Sequence, residues 1–129
     1  MKNIKILVLE DDLEALEYIS RVLKEVSIEK EIPIGVTVLP DYKQTELFIN
    51  KNPYFKYDIL LLDRDCFLGG SFHIVNLDLF DKDKVISISS VPDYNKKAGE
   101  MGVGRFIWKD YKNLDKFASE LKKEILDMV

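Results

Sequence analysis

The sequence predicts an α/β protein built as five β-strand–α-helix units around a parallel sheet. Three observations predict it. Short apolar runs rich in β-branched residues recur along the chain. They alternate with segments whose apolar residues are spaced by three or four. Prolines, asparagines and glycines stand between the two kinds of segment. Strands that alternate with helices imply a doubly wound parallel sheet with helices on both faces and right-handed crossovers.

The first strand is read from Ile4 to Leu9, a run interrupted only by Lys5, as expected for a strand buried on both faces. Asp12 is placed to cap the helix that follows. In that helix Leu13, Leu16, Ile19, Leu23 and Val26 fall on one face. Ile34 to Leu39 forms the second strand and Pro40 stops it. Asp41 starts a helix through Leu47, Phe48 and Ile49, which Asn52-Pro53 ends. Ile59 to Leu62 is the most apolar short run and is read as the central strand. Gly69-Gly70 and a short helix around Ile74 to Leu77 follow. Val85 to Ser89 is the fourth strand, closed by Val91-Pro92. A fourth helix runs from Tyr94 to Met101 and ends near Gly102. Arg105 to Trp108 is the fifth strand, and Leu114, Phe117, Ala118, Leu121 and Ile125 form the stripe of the last helix.

A chain of 129 residues suits one domain, residues 1–129, with no output domain expected after the last helix. The net charge of −4 argues against a basic surface for nucleic acid. The first apolar run, soon broken by Glu10, Asp11 and Asp12, is too short for a signal peptide or a membrane span. A single cysteine, Cys66, allows no internal disulfide and suggests a reducing, cytoplasmic compartment.

In such a fold the ligand sits beyond the carboxyl ends of the strands. Here those ends carry Glu10-Asp11-Asp12, then Asp63 with Arg64 and Asp65, then Ser89-Ser90, then Lys109. Two carboxylates about 4 Å apart repel by roughly 4 kcal/mol at an effective dielectric near 20. A hard divalent cation relieves that repulsion, and a few protein oxygens with several waters suit Mg²⁺. The lysine adds positive charge and the serine hydroxyl can bond a phosphoryl oxygen. Asp63, at the end of the central strand, is the best placed nucleophile.

These residues resemble the receiver domain of two-component response regulators. The first strand reads KILVLEDD, where Glu10 and Asp11 match the family's acidic pair. The third reads YDILLLD, where Asp63 matches the phosphoacceptor. Ser89 in KVISISS matches the hydroxyl position, and Lys109 in GVGRFIWKD matches the lysine. Phe106 falls on the switch aromatic, three residues before that lysine. The resemblance covers essentially the whole chain. It implies a flavodoxin-like sheet of order 2-1-3-4-5 and Mg²⁺ held by Asp11, Asp63 and the backbone carbonyl of Asp65, with Glu10 acting through water. It implies a phosphoprotein of a phosphorelay, in which a sensor histidine kinase or phosphotransfer protein passes a phosphoryl group to Asp63. Phosphotransfer and later dephosphorylation are then self-catalysed, with Lys109 and Ser89 at the reacting group. Ser89 and Phe106 together would switch the face of the fourth helix and fifth strand. That face would meet a downstream protein, and such domains can also dimerise through it; no nucleic acid or membrane is expected as a direct partner.

Two departures stand out. Asp110 follows Lys109 where the family usually has proline. The segment from Asp63 to His73 lacks the family's proline, having Phe67 at that place, and carries Asp65 where a non-acidic residue is usual. The Asp65 side chain is either a solvated loop carboxylate, a further metal ligand or a rival acceptor. Two alternatives remain beside the phosphoacceptor reading: a pseudo-receiver that signals by protein contact alone, and a divergent receiver acting on a phosphorylated small molecule, with His73 as acid/base or ligand. Plainer readings also stand: Asp11 and Asp12 as helix caps, Ser89 and Ser90 as loop-start serines, Lys109 as a surface lysine, Phe106 and Trp108 as ordinary apolar strand residues.

Overall fold

The computed structural model describes residues 3–52, 56–63, 82–100 and 102–129. The elements in chain order are β1 (Ile4–Leu9), α1 (Leu13–Lys30), β2 (Ile34–Leu39), α2 (Tyr42–Lys51), β3 (Ile59–Asp63), β4 (Val85–Ser89), α3 (Pro92–Glu100), β5 (Arg105–Trp108) and α4 (Leu114–Met128). A short 3₁₀ turn, Lys82–Lys84, leads into β4. The five strands form one parallel sheet in the order β2-β1-β3-β4-β5. The fold class and strand order expected from the sequence are thus observed. The short helix expected around Ile74 to Leu77 lies outside the described residues. No helix among the described residues is long and apolar enough to cross a membrane.

The continuous apolar runs have a direct cause. β3 and β4 are buried at every position, and β1 at all but Lys5, because layers cover both faces. Alternate residues feed two cores. One joins Ile6, Val8, Leu61, Ile86 and Ile88 to Ile19 and Val26 of α1 and Phe117, Leu121 and Ile125 of α4. The other joins Leu7, Leu9, Leu60, Leu62 and Val85 to Ile49 of α2 and Val103. Each fully buried Leu or Ile side chain contributes about 1.5–3 kcal/mol. The start of β3 is tied to β1, because the Asp58 amide donates to the Lys5 carbonyl and the Asp58 carboxylate accepts the Lys5 amide, each at 2.8 Å.

Capping follows the sequence closely. Asp12 accepts from the Ala15 amide at 3.0 Å to start α1, and Asp41 accepts from the Lys43 amide at 2.7 Å to start α2. Two readings need correction. Leu13 does not join the core face of α1; it is 81% exposed, because the helix begins beyond the end of β1 and leaves its first residue with no sheet beneath it. Ala15 and Val22 are buried there instead. The helix read from Tyr94 starts at Pro92, a residue whose fixed φ and missing N–H suit a first helical position.

α3 is seated by polar bonds. The Ser87 hydroxyl of β4 donates to Asn95 Oδ1 at 2.8 Å, and Asn95 Nδ2 donates to the Ile107 carbonyl of β5 at 3.1 Å, all buried. Asn95→Ala removes both bonds and is expected to lower stability in urea unfolding by about 1–3 kcal/mol. Combining it with Ser87→Ala should cost less than the sum of the single changes, since the two share one bond. Strict additivity would mean that the bond does not form in solution.

Candidate functional site

The parallel strands end on one edge, and four ionisable side chains among the described residues converge there. Glu10 follows β1, Asp63 ends β3 and Lys109 follows β5; all three are buried, and Asp11 is half-buried. The Lys109 ammonium donates to Glu10 Oε1 at 2.7 Å. It lies 3.0 Å from Asp63 Oδ2, an ion pair without hydrogen-bond alignment. The Asp11 amide donates to the second Glu10 oxygen, Oε2, at 3.2 Å. One carboxylate oxygen from each of Glu10, Asp11 and Asp63 lies within 4.8 Å of the other two. Backbone bonds fix the strand ends: Glu10 N–H to the Leu39 carbonyl at 3.2 Å, and Lys109 N–H to the Ser89 carbonyl at 2.8 Å.

Among the described residues, three carboxylates and one ammonium meet here, an excess of negative charge in a partly dry place. An all-oxygen donor set with that excess fits a hard divalent cation such as Mg²⁺. Glu10, Asp11 and Asp63 are the residues that would hold it. The Asp65 carbonyl and side chain, His73 and Cys66 lie outside the described residues.

Ser89 is buried at the end of β4, and its Oγ accepts the Val91 N–H at 3.0 Å, which shapes the turn into α3. Phe106 does not point into the cluster. It is 52% exposed and lines a groove with Pro92, Asn95, Lys96 and Trp108. Phe106 and Trp108 sit two apart on β5 and so share its outer, α3-side face. Trp108 is half-exposed, and its indole N–H donates to the Ser90 carbonyl at 3.2 Å.

The loop after Lys109 shows what stands in for the usual proline. The Asp110 carboxylate accepts the Lys112 amide at 3.0 Å, and its carbonyl accepts the Asn113 amide at 2.9 Å. A side-chain-supported turn thus sets the chain direction, and every described peptide bond is trans. Sequence reasoning missed Tyr111. Its hydroxyl donates to Asp12 Oδ2 at 2.9 Å, and its ring lies 5.7 Å from the Lys109 ammonium. The residue ties the loop carrying Lys109 to the loop carrying Asp11. A tyrosine two places after a pocket lysine was the available signal. Burial pushes its hydroxyl well above the ordinary tyrosine range; the Lys109 charge works against this and the bond to Asp12 adds to it.

No family model matches the sequence, and no curated protein matches it. Solved structures do. The chain superposes on the phosphorylated cyanobacterial phytochrome response regulator RcpA with a TM-score of 0.70, at 18% identity over 95% of this chain and 91% of that one. A response regulator receiver domain from Rhodospirillum rubrum gives 0.72, at 17% identity over 96% and 92%. The Mn²⁺-bound form of response regulator Rcp1 gives 0.69, at 21% identity over 97% and 96%.

Two measurements follow from this geometry. Lys109→Met leaves the buried Glu10 and Asp63 carboxylates without their ammonium, and is expected to cost about 3–5 kcal/mol in urea unfolding with chelator present. An unchanged midpoint would place the ammonium elsewhere. The raised folded pKa of Tyr111 means that the folded state holds its proton more tightly than the unfolded chain. Its contribution is therefore whole below about pH 10 and is lost as pH climbs through the folded value. Absorbance titration of the phenolates should show a late-ionising tyrosine that disappears in Tyr111→Phe; identical late steps in both proteins would contradict the assignment. The chain has the fold of response regulator receiver domains.

Proposed function

We propose that the protein is a response regulator receiver that takes a phosphoryl group onto Asp63 in a Mg²⁺-dependent reaction. The observation that carries this reading is the meeting of Glu10, Asp11, Asp63 and Lys109 on one strand-end edge, with the ammonium 3.0 Å from the acceptor carboxylate. The donor is a phosphohistidine on a sensor kinase or phosphotransfer protein. An Asp63 oxygen attacks phosphorus, the phosphorus–nitrogen bond breaks, and the imidazole leaves with a proton from solvent. Such transfer is mainly positioning and charge neutralisation. Mg²⁺ held by Glu10, Asp11 and Asp63 would supply neutralisation of the phosphoryl oxygens. Lys109 supplies a second, fixed positive charge and keeps the acceptor oxygen oriented. Rcp1, a structural neighbour, is known in a Mn²⁺-bound form, which supports a divalent ion at the acidic cluster.

The same reading gives the switch its parts. The Ser89 hydroxyl, two residues before Val91 and bonded to its amide, is the group that turns to a phosphoryl oxygen. Phe106 is then drawn inward from its exposed position on β5. The exposed pair Phe106 and Trp108 beside α3 is the surface that a downstream protein would read. Action in the cytoplasm is part of the proposal and agrees with a lone cysteine.

Incubation with Mg²⁺ and phosphoramidate, followed by intact mass measurement, should show one added phosphoryl group. Asp63→Asn should abolish it, and chelator should suppress it in the unchanged chain. Label that persists in Asp63→Asn would reject the acceptor; no label with phosphoramidate or kinase would favour signalling by protein contact alone.

A further inference from the structure

We infer that the β2 edge of the sheet is a docking site for an extended segment of another protein that alternates apolar and acidic residues. The site lies at the opposite edge of the sheet from β5 and does not depend on the phosphoacceptor reading.

The backbone supplies the template. The Pro33 and Leu39 carbonyls accept from β1. In a parallel ladder alternate residues face the neighbouring strand, so Gly35 and Thr37 also face β1. The N–H and C=O groups of Ile34, Val36 and Val38 therefore point away from the sheet. Such a row is a ready template for another strand. β2 carries none of the usual protection within it: its sequence is IGVTVL, with no charge. Pro33 and Pro40 bracket it and limit an added strand to about its own length.

The two faces of the edge differ in chemistry. On one, Ile34, Val36 and Val38 line a groove with Ser20, Lys24 and Ile28 of α1. Val36 and Val38 are 46% and 45% exposed there. On the other, Gly35 and Thr37 lie beside Lys5, Lys56 and Tyr57. A Cβ on Gly35 would meet nothing within 4 Å, so there is room above the strand for an incoming side chain. Among the described residues, the charged ones lining the two grooves are Lys5, Lys24 and Lys56, in a chain whose net charge is −4; the nearby Asp58 carboxylate is engaged by the Lys5 amide. None of the three ammonium groups joins a salt bridge among the described residues.

An added strand repeats the alternation of β2. Its apolar side chains would cover Val36 and Val38, and its carboxylates would sit over Gly35 between Lys5 and Lys56. A second copy of this chain fits less well, because pairing β2 with β2 sets lysine-lined grooves against lysine-lined grooves.

The test is an NMR titration of the full chain with a capped peptide of alternating valine and glutamate, six residues long like β2. Amide shifts should concentrate at Ile34 to Leu39 and at Lys5 and Lys56, with slowed hydrogen exchange at Val36 and Val38. A valine–lysine peptide should bind at least about tenfold more weakly, the factor that two exposed ion pairs can supply. The exposed double change Lys5→Glu with Lys56→Glu should reverse that preference, and a folded spectrum verifies the variant. Equal binding of both peptides, binding of neither, or dimerisation of the free protein abolished by Val36→Lys would each overturn the inference.

Discussion

The Lys109 ammonium, held between Glu10 and Asp63, is the contact on which the rest of the carboxyl edge depends. Taking charges out of water is costly, and a buried ion pair repays that cost only with good geometry and further hydrogen bonds. Glu10 has both: the ammonium on one oxygen and the Asp11 amide on the other. Asp63 faces the same ammonium with poorer alignment. The two buried acids thus meet the same ammonium in different geometry.

The parallel sheet makes this meeting cheap in conformational terms. Glu10, Asp63 and Lys109 are far apart in sequence, yet each is placed by the end of a strand whose register is set over several residues. Backbone bonds at Glu10 and Lys109 extend the ladder to the carboxylate edge itself. The loop beyond is stiffened locally, by the Asp110 turn and by Tyr111 reaching Asp12. A site assembled on strand ends with short braced loops needs little ordering when a ligand arrives.

Most of this architecture was legible in the residues. Runs such as ILLLD and VISIS announce strands buried on both faces, and the cap residues Asp12 and Asp41 mark helix starts correctly. The acids and the lysine were legible because a parallel sheet sends all its strand ends one way. Three features were not. Leu13 has the spacing of a core residue, but periodicity says nothing of where the sheet beneath a helix stops. Phe106 and Trp108 look like buried strand residues, yet β5 is an edge strand whose α3 side is thinly covered. The pairings of Ser87 with Asn95 and of Asp12 with Tyr111 join residues that no sequence pattern relates.

The seating of α3 connects the chemistry to the proposed output face. Among its described side chains the one fully buried is Asn95, a polar group. α1 and α4, by contrast, each bury several large apolar side chains. Apolar burial resists displacement over a broad range of positions, because any retreat exposes area to water. A hydrogen bond is worth less in net energy and depends steeply on direction. A helix held by Asn95 to β4 and β5 is thus specified in position at modest energetic cost to move. Ser89 lies two residues after Ser87 on β4, and Phe106 lies next to Ile107 on β5. A change at the carboxylate edge that re-aims Ser89 acts on the strand that holds one end of this bond chain. Phe106 flanks the residue that accepts the other. On the proposed reading, this polar pin would link a displacement at Asp63 to the exposed aromatic face.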